Sequence, residues 1–147
     1  MSGSRIPVVA LGMVPFILGC RLPGMEGIAP RSLVTSRQLS QQGVAALERE
    51  QWEHADDLLG QAVRACPTNP DAHRNYAEAR WNRGFREEAL KELEAARRLA
   101  PDDATTVARI AEMRLAMGQT ETAWQDAQRA IALDPKLASA WAARAQV

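Results

Sequence analysis

The pattern of hydrophobic and polar positions divides the chain into two different parts. Residues 6–19 carry no charge, whereas from residue 36 onward small and apolar residues recur at helical spacing among charged ones. Gly, Pro, Asp and Asn interrupt this pattern at regular intervals, as they do at helix ends and turns. The body is therefore predicted to be all-α. Helices are expected at about 37–48, 52–65, 71–83, 86–99, 104–116, 120–133 and 136–146.

A fixed period runs through this body. Ala55, Ala89 and Ala123 are 34 residues apart. Two further triplets keep the same spacing, namely Ala62, Ala96 and Ala130, and Pro67, Pro101 and Pro135. Small side chains allow neighbouring helices to pack closely, and each proline ends the helix before it. Three uninterrupted copies are therefore predicted, at 36–69, 70–103 and 104–137.

The turn inside each copy has its own signal. Gly84 and Gly118 stand at the fifteenth position of the second and third copies, where the first helix must end and the chain must reverse. Glu50 replaces glycine in the first copy.

This period resembles the tetratricopeptide repeat (TPR), a helix-turn-helix unit of 34 residues. The resemblance implies an α-solenoid of three units, each with a helix A and a helix B, followed by a capping helix at 138–147. It also implies that the A helices line a concave groove that binds a segment of a partner protein. The chain departs from the family at several large positions; position 11, usually Tyr, is Ala46, Arg80 and Arg114.

The resemblance places the groove-facing side chains at fixed positions of each helix A. In the first unit these are Arg37, Ser40, Gln41, Val44, Leu47 and Glu48. The partner-binding residues predicted in the second and third units are Arg74, Asn75, Glu78, Trp81, Arg109 and Glu112. Arginine and asparagine suit a peptide carboxylate or carbonyl, and a tryptophan suits an apolar anchor. The alternative is a solvated face of Arg–Glu pairs. Trp52 and Trp124 are expected to pack within the stack, and Trp141 and Leu137 of the capping helix to pack inward.

Some TPR proteins clamp the C-terminal carboxylate of chaperones with polar groove residues. Asn75 and Arg109 match two of those positions. Ser40, Val44 and Thr105 stand where Lys, Asn and Lys are needed. A carboxylate would lack most of its charge partners here, so this clamp is not expected.

The first nineteen residues are typical of a signal peptide. A single Arg5 precedes an uncharged run that is shorter than the roughly 18–20 residues of a membrane-spanning helix. Ile17-Leu18-Gly19-Cys20 resembles the lipobox of bacterial lipoproteins. That resemblance implies cleavage after Gly19 and lipid attachment at Cys20. The alternatives are an unlipidated signal or anchor, or a cytosolic chain with an apolar start.

The segment that follows Cys20 is predicted to be a spacer. Residues 20–35 contain Pro23 and Pro30 and show no apolar periodicity, which predicts a flexible tether. Arg21 follows the cysteine where an Asp favours inner-membrane retention in enteric-type bacteria. An outer-membrane destination is therefore expected.

Charge and composition exclude several classes of function. Residues 36–147 hold 15 basic and 17 acidic side chains, interspersed, so no basic stripe for nucleic acid exists. His54 and His73 lack partners at metal-ligand spacing. Cys66 has only Arg64 nearby to favour a thiolate. We therefore expect no enzyme activity, no metal and no cofactor.

Together these expectations describe a membrane-anchored bacterial lipoprotein on the periplasmic side of the cell envelope. Its groove would bind a protein or peptide partner during envelope assembly or secretion. The alternative is a structural subunit that self-associates through its exposed end helix.

Overall fold

The computed structural model describes residues 30–146, which form seven helices and contain no strand. The helices are α1 (Arg31–Glu48), α2 (Trp52–Ala65), α3 (Pro70–Asn82), α4 (Arg86–Leu99), α5 (Ala104–Ala116), α6 (Thr120–Leu133) and α7 (Ala138–Ala145). They pair as α1 with α2, α3 with α4 and α5 with α6, and α7 packs on α5 and α6. This arrangement confirms the predicted α-solenoid. The signal peptide predicted at 1–19 and the lipid site at Cys20 lie outside the described residues.

Helix α1 begins six residues earlier than the sequence pattern predicted. Residues 31–35 are helical, so the prediction of a flexible tether is wrong for them. The backbone carbonyl of Pro30 accepts the N–H of Val34 at 3.1 Å, which closes the first turn. Ser36, fully buried, accepts a hydrogen bond from the Asn69 amide at 3.1 Å. The start of α1 is thus held against the start of α3.

The turns between the helices of each unit follow the predicted chemistry. Gly84 and Gly118 have φ of +85° and +76°, which glycine adopts without a Cβ clash. Glu50 takes the same left-handed backbone with φ of +57°. The side chains of Asn69 and Asp103 cap α3 and α5 by accepting backbone N–H groups of Asp71 and Thr105.

The core consists mainly of alanine. The six repeat-defining alanines are each at most 1% exposed, which confirms their predicted role in close helix packing. Larger buried side chains are Leu59, Leu93, Ile110 and Met113. Gly43 lies directly on Leu59, because a Cβ at Gly43 would come within 2.4 Å of the Leu59 Cγ atom. The interface between α1 and α2 therefore requires glycine at this point.

Two tryptophan predictions are wrong. Trp124 is 43% exposed and Trp141 is 46% exposed. Ala123, Ala127 and Ala130 occupy the inward face of α6, which leaves Trp124 pointing outward. The Trp141 indole N–H donates to the Pro135 carbonyl at 2.9 Å instead of packing inward. Trp52 is half-buried. Leu137 does pack inward, against a buried cluster of Val107, Ala108, Ala130 and Ala140.

Candidate functional site

The groove face is the surface formed by the predicted groove positions of α1, α3 and α5. All six predicted partner-binding residues are half-buried on this face, namely Arg74, Asn75, Glu78, Trp81, Arg109 and Glu112. The structure brings them together on α3 and α5, but it also shows that most of them already bind one another.

Arg109 is held by two glutamates. Its Nε and Nη2 atoms each lie 2.7 Å from one carboxylate oxygen of Glu78, and its Nη1 atom lies 2.8 Å from Glu112. The hydrogen bond with Glu78 raises the pKa of Arg109 above its usual value. This two-point contact joins α5 to α3, because Glu78 belongs to the preceding unit.

Arg74 is also engaged within the protein. It lies 2.8 Å from Asp71 on its own helix and 2.9 Å from Asp103, which caps α5. Burial raises the pKa of Asp103, but hydrogen bonds donated by Thr105 and Thr106 outweigh it and lower that pKa below its usual value. A peptide carboxylate would thus compete with protein carboxylates for both Arg74 and Arg109, which favours the alternative of paired charges for these two residues.

Trp81 lies between the groove face and the core. Its half-buried ring packs against a buried cluster that includes Leu93, Ile110 and Met113. The guanidinium of Arg86 lies 5.4 Å from the ring centroid. Only part of this ring is available to a partner.

An open hollow of about 480 Å³ lies between α1 and α3. Helix α1 lines it with five groove-position residues, Arg37, Ser40, Gln41, Val44 and Glu48, and α3 contributes Arg74 and Asn75. Within residues 30–146, no hydrogen bond or ion pair occupies the side chains of Arg37, Gln41, Glu48 or Asn75. The Ser40 hydroxyl is buried and also has no partner in this part of the chain.

The sequence placed the α1 residues on the groove face but not among the predicted partner-binding residues, which included Asn75. The signal was present, since the same helix positions recur in the first unit. Arg37 and Glu48 stood at groove positions of the sequence, but spacing alone does not show that they remain unpaired while Arg74 and Arg109 are bound to carboxylates.

Other chemically active side chains have structural partners. The ring of His73 lies between Glu92, 2.7 Å from Nδ1, and the Pro67 carbonyl, 2.9 Å from Nε2. Cys66 is 2% exposed and contacts the Thr68 hydroxyl. Among residues 30–146, no group of three or more His, Cys, Asp or Glu side chains is placed to hold a metal ion. Each helix within residues 30–146 is too short or too polar to span a bilayer.

Three stacked helix pairs of 34 residues define the fold of a TPR solenoid. Solved structures of TPR domains share it. The first TPR domain of Spaghetti (RPAP3), bound to the HSP90 peptide SRMEEVD, superposes with a TM-score of 0.74 and 21% identity over 78% of this chain and 90% of that chain. The OM64 TPR domain of Arabidopsis gives a TM-score of 0.74 with 20% identity over 78% of this chain and 95% of that one. The Sgt2 TPR domain of Aspergillus fumigatus superposes with a TM-score of 0.70 and 25% identity over 75% of this chain and 74% of that chain.

These structural similarities show the TPR fold. No protein-family model matches the chain, and no curated protein sequence matches it significantly.

Proposed function

We propose that this protein is a protein-interaction scaffold that binds an extended segment of a partner on its groove face. The observation that carries the proposal is the open hollow between α1 and α3, where several polar side chains have no partner within the described residues. Elsewhere on the groove face the charged groups are paired. A surface with unpaired hydrogen-bonding groups in a concave site is suited to a polar ligand.

Structural neighbours support a peptide as the ligand. The first TPR domain of Spaghetti was solved with an HSP90 peptide, and the second TPR domain of human RPAP3 with the HSP70 peptide SGPTIEEVD. We do not extend those acidic peptides to this protein. Its Arg74 and Arg109 are already bound to carboxylates, and Ser40 and Val44 supply no positive charge.

Peptide display tests this proposal. The full-length chain, immobilised in mild detergent, is expected to enrich specific sequences from a random twelve-residue peptide library. Val44→Arg places a long charged side chain in the hollow and is expected to abolish their binding. Ala132→Arg is the matched control, because Ala132 is exposed on α6, away from the hollow. Enrichment no better than on an unrelated protein, or equal binding to the Val44→Arg variant, would reject the scaffold role.

We further propose that lipid on Cys20 tethers this scaffold to a membrane of the bacterial cell envelope. The support is the sequence motif Ile17–Cys20 together with the uncharged run before it. Cys20→Ser is expected to move the protein from the membrane fraction to the soluble fraction and to abolish labelling with radioactive palmitate. Cys66→Ser is the control, since that thiol is buried in the fold. A Cys20→Ser protein that stays in the membrane fraction contradicts the anchor.

Self-association is the second candidate function. It is favoured by Trp141, which is 46% exposed on α7. Large exposed aromatic side chains are enriched at protein interfaces. Sedimentation at several concentrations separates the candidates, because a protein that is monomeric throughout is not an oligomerisation subunit.

A further inference from the structure

We infer that the hollow between α1 and α3 selects a partner segment by the order of charges along that segment. The segment is extended, with an acidic side chain beside Arg37, a basic side chain beside Glu48, and uncharged residues between them. This inference rests on the proposed function and adds the chemistry of the partner.

The spacing of the two charged residues sets the length of the stretch. Arg37 and Glu48 are eleven residues apart on α1, which corresponds to about 16 Å along a helix that rises about 1.5 Å per residue. An extended peptide rises about 3.3 Å per residue, so five peptide residues cover that distance. The acidic and basic side chains of the partner are therefore expected five positions apart.

Arg37 and Glu48 are both available for a partner. Each is exposed, and neither forms an ion pair within residues 30–146. The other two charged residues that line the hollow, Asp71 and Arg74, lie 2.8 Å apart and largely cancel. The hollow consequently has a positive end and a negative end but little net charge.

The middle of the hollow is built for uncharged hydrogen-bonding groups. The Asn75 amide, which offers both a donor and an acceptor, is suited to the peptide backbone. Ser40 is 6% exposed, and its hydroxyl has no hydrogen-bond partner within the described residues. Because Ser40 lines the hollow, a ligand bound there is expected to supply the missing partner. Val44 and Ala45 complete the lining with apolar groups, which disfavour a charge at the centre.

The test uses three families of synthetic hexapeptides with Ala, Ser and Asn in the four central positions and capped ends. One family has Glu and Lys at opposite ends, one has Glu at both ends, and one has Lys at both ends. Fluorescence anisotropy at low salt is expected to show that the mixed family binds the full-length protein about tenfold more tightly than either like-charged family. Equal binding of the three families would overturn the inference.

Charge reversal gives the sharper result. Arg37→Glu makes both ends of the hollow acidic and is expected to switch the preference to the family with two lysines. Glu48→Arg is expected to switch it to the family with two glutamates. Arg129→Glu on α6 and Glu53→Arg on α2 are matched controls at exposed positions away from the hollow and are expected to keep the parent preference.

The outcomes separate this inference from the proposed function. If the library-selected peptides bind and Val44→Arg blocks them, while neither charge reversal alters the preference among the hexapeptides, the scaffold role stands and the charge polarity is wrong. If no peptide of any kind binds, both are wrong.

Discussion

Arg80 and Arg114 occupy position 11 of the second and third units, and each lies against acidic side chains of neighbouring helices. Arg80 is 2.8 Å from Asp56 on α2, and Arg114 is 2.8 Å from Glu94 on α4 and also binds Asp126 on α6. Tetratricopeptide repeats, which the sequence resembles, usually have a tyrosine at this position. Arginine makes ion pairs at this position, and the Arg80 guanidinium also lies 4.8 Å from the centroid of the Tyr76 ring.

A single added methyl group at Gly43 is expected to destabilise the protein. In Gly43→Ala the new Cβ would lie 2.4 Å from Leu59 Cγ, so Leu59 and the α1–α2 pair must shift. Overpacking of this kind costs about 1–3 kcal/mol, more than the roughly 1 kcal/mol that alanine gains over glycine in a helix. Urea unfolding followed by circular dichroism measures the difference.

Gly60→Ala is the matched control. Its nearest neighbours are the flexible end of Arg64 at 3.3 Å and the Tyr76 ring at 3.4 Å, so little movement is needed. This variant is expected to be as stable as the parent or slightly more stable. If both variants behave alike, the close contact at Gly43 is not important for stability.

His73 is expected to make stability depend on pH. Both ring nitrogens face acceptors, Glu92 and the Pro67 carbonyl, so the ring satisfies both only when it carries two protons. The hydrogen bond with Glu92 raises the pKa of His73 above its usual value, although burial opposes this. A raised pKa in the folded state means that this stabilisation is complete below about pH 6.5, the unfolded pKa, and is lost as pH rises through the folded pKa.

Urea midpoints between pH 5 and pH 9 test this expectation. Glu92→Gln is expected to flatten the decline in stability above about pH 6.5, whereas His54→Gln is expected to leave it unchanged because His54 is exposed. A parent protein whose stability rises over this pH range would contradict the role of His73.

At the scale of the helices, the turns between helix A and helix B of the three units share a left-handed backbone conformation but not the same residue. The left-handed conformation is occupied by Gly84, Gly118 and Glu50. Helices α2, α4, α5 and α6 have the predicted boundaries. A proline lies two residues past the ends of α2, α4 and α6, glycine lies two residues before α4 and α6, and Asp103 caps α5. The start of α1 was not predicted, since no such signal separates residues 31–35 from the first unit and a serine–asparagine contact across 33 residues holds it.

Glu50→Gly is expected to stabilise the protein by about 1 kcal/mol, because a left-handed backbone costs an ordinary residue about 1–2 kcal/mol and the greater flexibility of unfolded glycine offsets part of the gain. Gly84→Ala is the reverse case. No atom lies within 4 Å of a Cβ there, so its expected loss of about 1 kcal/mol is purely conformational. Thermal unfolding of both variants measures these two effects. If both variants are stabilised, or both destabilised, this explanation is contradicted.

At the scale of the whole molecule, α7 covers the end of the stack. Leu137, Ala140 and Ala143 pack against buried residues of α5 and α6. Deletion of residues 138–147 would expose that surface and is expected to lower the free energy of unfolding by about 2–4 kcal/mol, on the basis of the apolar area uncovered.

Differential scanning fluorimetry measures the effect of this deletion. Removal of residues 146–147 is the control, because α7 ends at Ala145 and stays intact. If the variant without the whole helix unfolds at the same temperature as the parent protein, the last unit needs no covering helix.

The sequence predicted the repeat and its helices far better than the contacts among the side chains of the groove face. Alanine, glycine and proline at fixed spacing are enough to define stacked helix pairs. The pairing of Arg109 with Glu78 depends on how α5 lies beside α3, thirty-one positions away in the chain, and sequence spacing alone does not give that geometry. The exposure of Trp141 likewise depends on which helices surround α7.

The contacts between units have a consequence for their order. The six repeat-defining alanines stand at the same two positions in all three units, so they do not distinguish one neighbouring unit from another. The ion pairs between units are only partly alike. Arg80 binds Asp56 and Arg114 binds Glu94, which repeats one contact at both junctions, whereas Arg109 binds Glu78 only between the second and third units. A shuffled array would keep the repeated alanines but lose the Glu78–Arg109 pair, so this pair helps to specify that the third unit follows the second.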